Sequence, residues 1–237
     1  MNIQYILLSV LTLCCVVTEI SAKPLQHATL KPQIIEGWTV RVDEQILNGD
    51  QEKKKQLLRN LTERLANIKI VIPQPHLAKL QKVTIVLEKQ HPELKAMQYH
   101  PSVKWLQDKG YDETLVRCVH LPVADSLISE RQIRVQPWVI LHELSHAYHH
   151  QVLGFDQKEI IAAYEKFKAS GHGVNCLHYH GNKVEHYGLT NHKEFFSEMT
   201  EAYFGTNDFY PFNHAELKTA EPEIYKLIAR IWAPTSK

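Results

Sequence analysis

Along this chain the apolar positions first run together, then alternate, and then recur at helical spacing. Ile3 to Val17 is almost continuously apolar. Trp38 to Val42 alternates apolar with polar residues, the period of a half-buried strand. Asp50 can cap a helix running to about Asn67, with Leu57, Leu58, Leu61 and Leu65 on its buried side. Ile68 to Ile72 alternates around Lys69 and reads as a strand stopped by Pro73 and Pro75. Val83 to Leu87 reads as another short strand, and Pro101 to Lys109 as a short helix ended by Gly110. Cys118 to Val123 is apolar and β-branched. It contains Pro122, which has no backbone N–H for a ladder, so an edge strand is expected. Residues 23–36 follow neither period and read as an irregular lead-in, leaving open whether they are a propeptide.

The second half is mostly helical in pattern. Pro137 to Leu153 begins with Pro, suited to a first helical turn, and is followed by Gly154, suited to the position after a helix. Trp138, Leu141, Ser145, Tyr148 and Val152 form its mostly apolar stripe. Asp156-Gln157-Lys158-Glu159 has the layout of a capping box and opens a helix to about Ala169. Ser170 to Gly188, rich in Gly, His and Asn, reads as a long loop or short hairpin, and long loops are often functional. Helices are expected from Asn191 to Phe204 and from Pro222 to Trp232. Mixed β and α followed by helices predicts an α+β fold with a cleft between two lobes.

The chemistry concentrates in the Pro137–Leu153 helix. His142-Glu143-Leu144-Ser145-His146 is an H-E-x-x-H pattern. Two His four apart lie one turn apart on one helix face and can reach a single metal ion at roughly 2.0–2.1 Å. Glu143 follows the first of them, so its carboxylate can take a proton from a water at that ion. The bland alternative is a structural helix rich in His.

A catalytic zinc needs a third protein ligand and an open position. One common arrangement has a glycine three residues, and a third His six residues, past the second His. Here His149 and Val152 stand at those places, which excludes it. The other arrangement takes a Glu from a later helix. Glu194, Glu198 and Glu201 share one face of the Asn191–Phe204 helix at i, i+4 and i+7. Three carboxylates on one face repel each other unless a cation or donors stand opposite. On this reading Glu194 is the ligand and Glu198, one turn on, orients a ligating His. The competing reading has Glu194 only closing a capping box with Asn191, with the other two solvated.

Composition changes the picture mainly by exclusion. The formal net charge is +1 at pH 7, which argues against nucleic acid or an acidic membrane surface as the main partner. The apolar run at the N-terminus, with Ser21-Ala22 before Lys23, reads as a signal peptide over residues 1–22. It is shorter than the ~20 residues of a membrane span and is broken by Glu19, so no stable membrane anchor is expected. Residues 23–237 then form a single secreted, extracellular domain. Of the four Cys, Cys14 and Cys15 leave with the signal. In an oxidising compartment Cys118 and Cys176 are expected to pair as a disulfide. The alternative is that one or both join the site, since Cys176 lies among His172, His178 and His180. Asn60-Leu61-Thr62 is an N-glycosylation sequon.

The stretch Tyr187-Gly188-Leu189-Thr190-Asn191-His192-Lys193-Glu194-Phe195-Phe196-Ser197-Glu198 resembles the Y-G-x-T-N-x-x-E-F-F-x-E segment of the anthrax-lethal-factor-like zinc metallopeptidases, which are gluzincins. The resemblance covers about Pro137 to Gly205. A group of little-characterised secreted and bacterial proteins read as peptidases is also similar, through Gly154-Phe155-Asp156 and through Tyr203 to Phe212. The resemblance implies a zincin-like two-lobed domain with one zinc ion per chain on His142, His146 and Glu194. It further implies Glu143 as general base and Tyr187 as a phenolic donor to the oxyanion. His180 and His186 are weaker candidates for that last task.

The expected function is therefore a zinc-dependent metallopeptidase acting on a peptide or protein substrate, with the Cys118–Val123 strand pairing with the extended chain. Two rivals remain: a zinc-stabilised binding protein without turnover, and a zinc hydrolase acting on something other than peptide.

Overall fold

Five short strands make one mixed sheet, and the helices that flank it carry most of the described chain. The computed structural model describes residues 27–234; the expected signal peptide lies outside them. β1 (Leu30–Ile35) turns back into β2 (Trp38–Asp43) through Glu36 and Gly37, whose φ values of 50° and 95° suit the tight turns that follow strand twist. The sheet continues with β3 (Ile85–Leu87), β4 (Gln98–Tyr99) and β5 (Val119–Leu121), in the order β1-β2-β3-β5-β4. β2, β3 and β5 run parallel, and β1 and β4 close the two edges antiparallel.

Two expectations change here. The lead-in is not wholly irregular, because Leu30–Ile35 is a strand. Its side chains are half-exposed on both faces, so no alternation marks it. The Cys118–Val123 stretch is not an edge. β5 lies between β3 and β4 with all three residues buried, and Pro122 falls just beyond the ladder. The edge on that side is β4.

After α1 (Glu44–Leu47), α2 (Gln51–Val71) begins at Asp50, whose side chain accepts from the Lys53 N–H at 2.8 Å. It absorbs the strand expected at 68–72. Ile68 extends the buried stripe of Leu57, Leu61 and Leu65, while Ile70 is 80% exposed, so the helical period prevails over the alternation. Each such buried side chain contributes about 1.5–3 kcal/mol over an exposed one. The sequon residue Asn60 is half-buried within α2, and its amide donates to the Gln56 carbonyl. Arg64, also on α2, donates to the carbonyls of Leu127, Gln132 and Pro137. That fork fixes the segment leading into the H-E-x-x-H helix.

α3 (His76–Leu80) and α4 (Val103–Lys109) follow, the latter ending at Gly110 with φ 68°. α5 (Val139–Tyr148) carries the motif and continues as a wider π-type turn through Leu153. α6 (Lys158–Ser170) is capped by Gln157 rather than Asp156. The hairpin of β6 (Cys176–Leu177) and β7 (Lys183–Val184) lies in the long connection. α7 (His192–Phe204), α8 (His214–Ala220) and α9 (Pro222–Ile231) complete the described chain. The structure is thus mixed α+β.

One core joins the sheet to α2, α5, α7 and α9 through residues such as Val40, Leu87, Leu61, Leu144, Phe196 and Ile228. A smaller cluster of Val86, Leu106, Tyr111, Leu115 and Cys118 covers the other face. The disulfide is not formed: Cys118 and Cys176 are both free and buried. Cys118 belongs to that smaller cluster, with its thiol toward the Thr114 and Val116 carbonyls, whereas Cys176 belongs to the hairpin. Burial pushes both thiols up. Among the described residues no helix is long and apolar enough to cross a membrane.

Candidate metal centre

The site is built where α5 packs against α7. α5 holds Ile140, Leu141, Leu144 and Ala147 in the core, and α7 holds Phe195, Phe196, Met199 and Ala202. This packing turns the polar stripes of the two helices toward each other. Asn191 caps α7 by accepting from the Lys193 and Glu194 N–H groups at 2.9 and 3.1 Å. With the cap supplied by Asn191, the Glu194 carboxylate reaches across to α5.

There it meets both histidines. Glu194 Oε2 lies 3.1 Å from His142 Nε2 and 3.1 Å from His146 Nε2, and those nitrogens are 3.1 Å apart. A tetrahedral ion with ligands at roughly 2.0–2.1 Å spaces its ligand atoms about 3.3–3.4 Å apart. The triangle is close to that spacing, and the three residues could hold a metal ion. Burial alone would lower the His142 imidazole, but hydrogen bonds to Glu194 and Glu201 outweigh it and hold it well above its ordinary value. Burial would raise Glu194, and the two histidines instead hold it well below the carboxylate range.

The far side of His142 is carboxylate too. Nδ1 is 2.6 Å from Glu201 Oε1 and 3.4 Å from Glu198 Oε1. Glu201 therefore takes the orienting bond, while Glu198 accepts from Asn207 Nδ2 at 3.0 Å. Asp208 beside them accepts from Gln136 Nε2 at 3.1 Å. Burial, and with it repulsion from Asp208, raise the Glu198 and Glu201 carboxyls against the pull of His142. His142, Glu198 and Glu201 form a second group with metal-ligand spacing. It shares His142 with the first. A neutral imidazole that donates through Nδ1 has only Nε2 left for an ion, so this second group supports the first.

Glu143 is buried, with Oε2 accepting the Tyr99 backbone N–H at 2.7 Å. Burial raises its carboxyl against the pull of His142 and His146. Tyr187 starts a short helical turn just before α7 and is 48% exposed, with its ring centroid 6.5 Å from that of His142. Burial raises its phenol.

These groups open into a cleft of about 940 Å³ whose wall includes Met97, Gln98 and Tyr99 of the sheet edge. Of the loop histidines, His178 lines the cleft, and His180 is exposed. His186 is buried, accepts the Gly188 N–H at 2.9 Å, and is pushed down to about 3 by burial. His172 pairs with Glu221 at 2.7 Å, and Cys176 joins neither metal-capable group.

Two participants were not assigned these roles from sequence. Glu201 was visible on the carboxylate face, but its reach to Nδ1 depends on how α5 crosses α7. Tyr99 acts through its backbone, which no side-chain pattern reports. Neither a protein-family model, nor a curated protein, nor a solved structure matched this chain.

Proposed function

We propose that this chain is a secreted zinc-dependent metallopeptidase with a zincin-like two-lobed domain of the lethal-factor-like kind. The observation that carries the reading is the 3.1 Å triangle of His142, His146 and Glu194 at the floor of an open cleft. Two nitrogens and one carboxylate oxygen suit zinc among the common metals, and the spacing leaves a fourth position open. When bound, zinc supplies a Lewis acid that polarises a carbonyl and acidifies water.

The chain's own groups do the rest. Glu143 accepts a proton from the attacking water as its oxygen bonds to the scissile carbonyl carbon. The same carboxyl delivers that proton to the leaving amine as the C–N bond breaks. The Tyr99 N–H holds Oε2 and so fixes the direction of Oε1. Tyr187 offers its phenol to the developing oxyanion. β4, whose residues line the cleft, replaces β5 as the strand beside which an extended substrate lies.

The test pairs the native chain from residue 23 onward with Glu143→Gln. Both should hold one zinc, and the substitution should cut cleavage of a mixed peptide library by about 10²–10⁴. Proteolysis surviving in Glu143→Gln overturns the reading. One zinc with no cleavage by either protein favours a binding protein without turnover.

A further inference from the structure

The charges lining the cleft separate by depth. Glu143, Glu198, Glu201 and Asp208 are buried, and Glu194 faces the two histidines. The lining cations are Lys95, Arg131 and Lys193, of which the first two are exposed and the third half-buried. Every exposed charge on the wall is therefore positive. None of the three forms an ion pair among the described residues. Lys95 Nζ donates to the carbonyls of His91 and Pro92, each at 3.3 Å. Arg131 Nε donates to Gln136 Oε1 at 3.3 Å, and Lys193 Nζ sits 4.4 Å from the centre of the Phe155 ring. Of the acidic residues next to the lining, Glu130 pairs with Arg134 at 2.7 Å and Asp125 with Lys53 at 2.6 Å, while Asp156, beside Phe155, is exposed and forms no ion pair among the described residues.

Arg131 and Lys193 also stand toward opposite ends of α5. Arg131 is tied to Gln136, ahead of the first turn of α5. Lys95 leans on the His91 segment, which bonds to Pro122 just before the Ser126 side of the wall. Lys193 covers Phe155, which stacks on His150 beyond the last turn of α5. The ten residues of α5 span about 15 Å at 1.5 Å per residue. An extended peptide at about 3.3 Å per residue therefore needs roughly five residues to meet both ends. Unpaired cations facing a cleft attract and orient anions.

We propose that the cleft selects peptides bearing acidic side chains on both sides of the scissile bond. This rests on the peptidase reading above. Counting charges without regard to depth gives five carboxylates against three cations and would suggest the reverse. The carboxylates are consumed by the histidines and by burial, so an arriving substrate meets the cations.

The experiment uses the zinc-loaded native chain and three peptide sets identical except for Glu, Gln or Lys flanking a varied centre. The Glu set should be cleaved with kcat/KM about tenfold above the Gln set, with the Lys set lowest. An exposed charge pair carries up to about fivefold, so three cations reach that range together. The preference should shrink as salt rises. Lys95→Glu, Arg131→Glu and Lys193→Glu combined should invert it, and Arg131→Glu alone, at an exposed position, should weaken it about threefold. Cleavage that ignores flanking charge, or favours Lys, overturns this proposal and leaves the peptidase standing. If no set is cleaved, the peptidase reading fails, and fluorescence anisotropy on the same peptides decides. Glu-selective binding that the substitutions invert supports an anion-selecting cleft, and unselective binding overturns it.

Discussion

His142 and His149 stand seven residues apart on one continuous helical run, and both are buried, at 7% and 0% exposure. Their surroundings are opposite. His142 has Glu201 2.6 Å from Nδ1 and Glu194 3.1 Å from Nε2. His149 has no hydrogen-bond partner at either nitrogen and lies among the rings of Phe155, Phe196 and His192. The first imidazole is held well above its ordinary value, and the second is pushed down to about 3 by burial. Equal removal from water thus gives opposite preferences for charge, and the groups opposite the ring decide which. One position is built to face positive charge; the other uses a histidine as an aromatic filler.

The largest effect expected from this contrast is on metal content. His142→Ala should take the dialysed protein from about one equivalent of zinc to near none, because two ligands remain of three. His149→Leu should leave the zinc in place. Elemental analysis of both proteins checks this, and an emptied His149→Leu protein would break the contrast.

A middle-sized effect concerns the carboxylates behind His142. Glu201→Gln should weaken zinc binding by about 10–100-fold, read by competition with a chromogenic chelator. Glu198→Gln should weaken it less, since Glu198 is 3.4 Å from Nδ1 and is shared with Asn207. A larger loss in Glu198→Gln would exchange the two roles.

At neutral pH the smallest effect is on stability, and it grows on acidification. The folded His149 value of about 3 lies below the unfolded value of about 6.5, so between those pH values the unfolded chain binds a proton that the folded chain does not. Stability is lost as pH falls through that window, by about 1.4 kcal/mol per pH unit. His149→Leu removes this contribution, so its urea-unfolding free energy should fall less steeply between pH 6.5 and 4. At pH 7 the change should be within about 1 kcal/mol of neutral, because it also removes two unpartnered polar atoms. An unchanged slope would mean that His149 is already protonated in the fold.

Much of the centre was legible because its signals are local. Spacing alone puts His142 and His146 on one face, and Asn191 marks the start of α7 by its cap, which sets where Glu194 points. Glu201 was harder. At 100° per residue, Glu198 lies 40° from Glu194 and Glu201 only 20° on the other side, so both share the stripe. Which of them meets Nδ1 depends on the crossing of two helices distant in sequence. The strand expected at 68–72 failed because a short alternating run also fits the end of a long amphipathic helix. β1 gave no periodic signal because neither of its faces is buried. The edge strand was misplaced because Pro122 sits one residue past the ladder of β5, and β4 is only two residues long. The disulfide failed because a count of cysteines carries no information about their placement.

The two ends of the sheet handle exposed backbone differently. A free edge is a template on which another chain can polymerise. At one end β1 carries Lys31 and Pro32, a charge and a residue with no amide hydrogen, both of which discourage a neighbour. At the other, β4 has two residues, and the Tyr99 amide is already spoken for by Glu143. The contact that steadies the proposed base thus also removes a donor from the edge beside the cleft. Truncating Glu143 would free that amide as well as deleting a carboxylate, so an alanine variant is expected to self-associate more readily than the glutamine variant, whose side-chain oxygen can still accept.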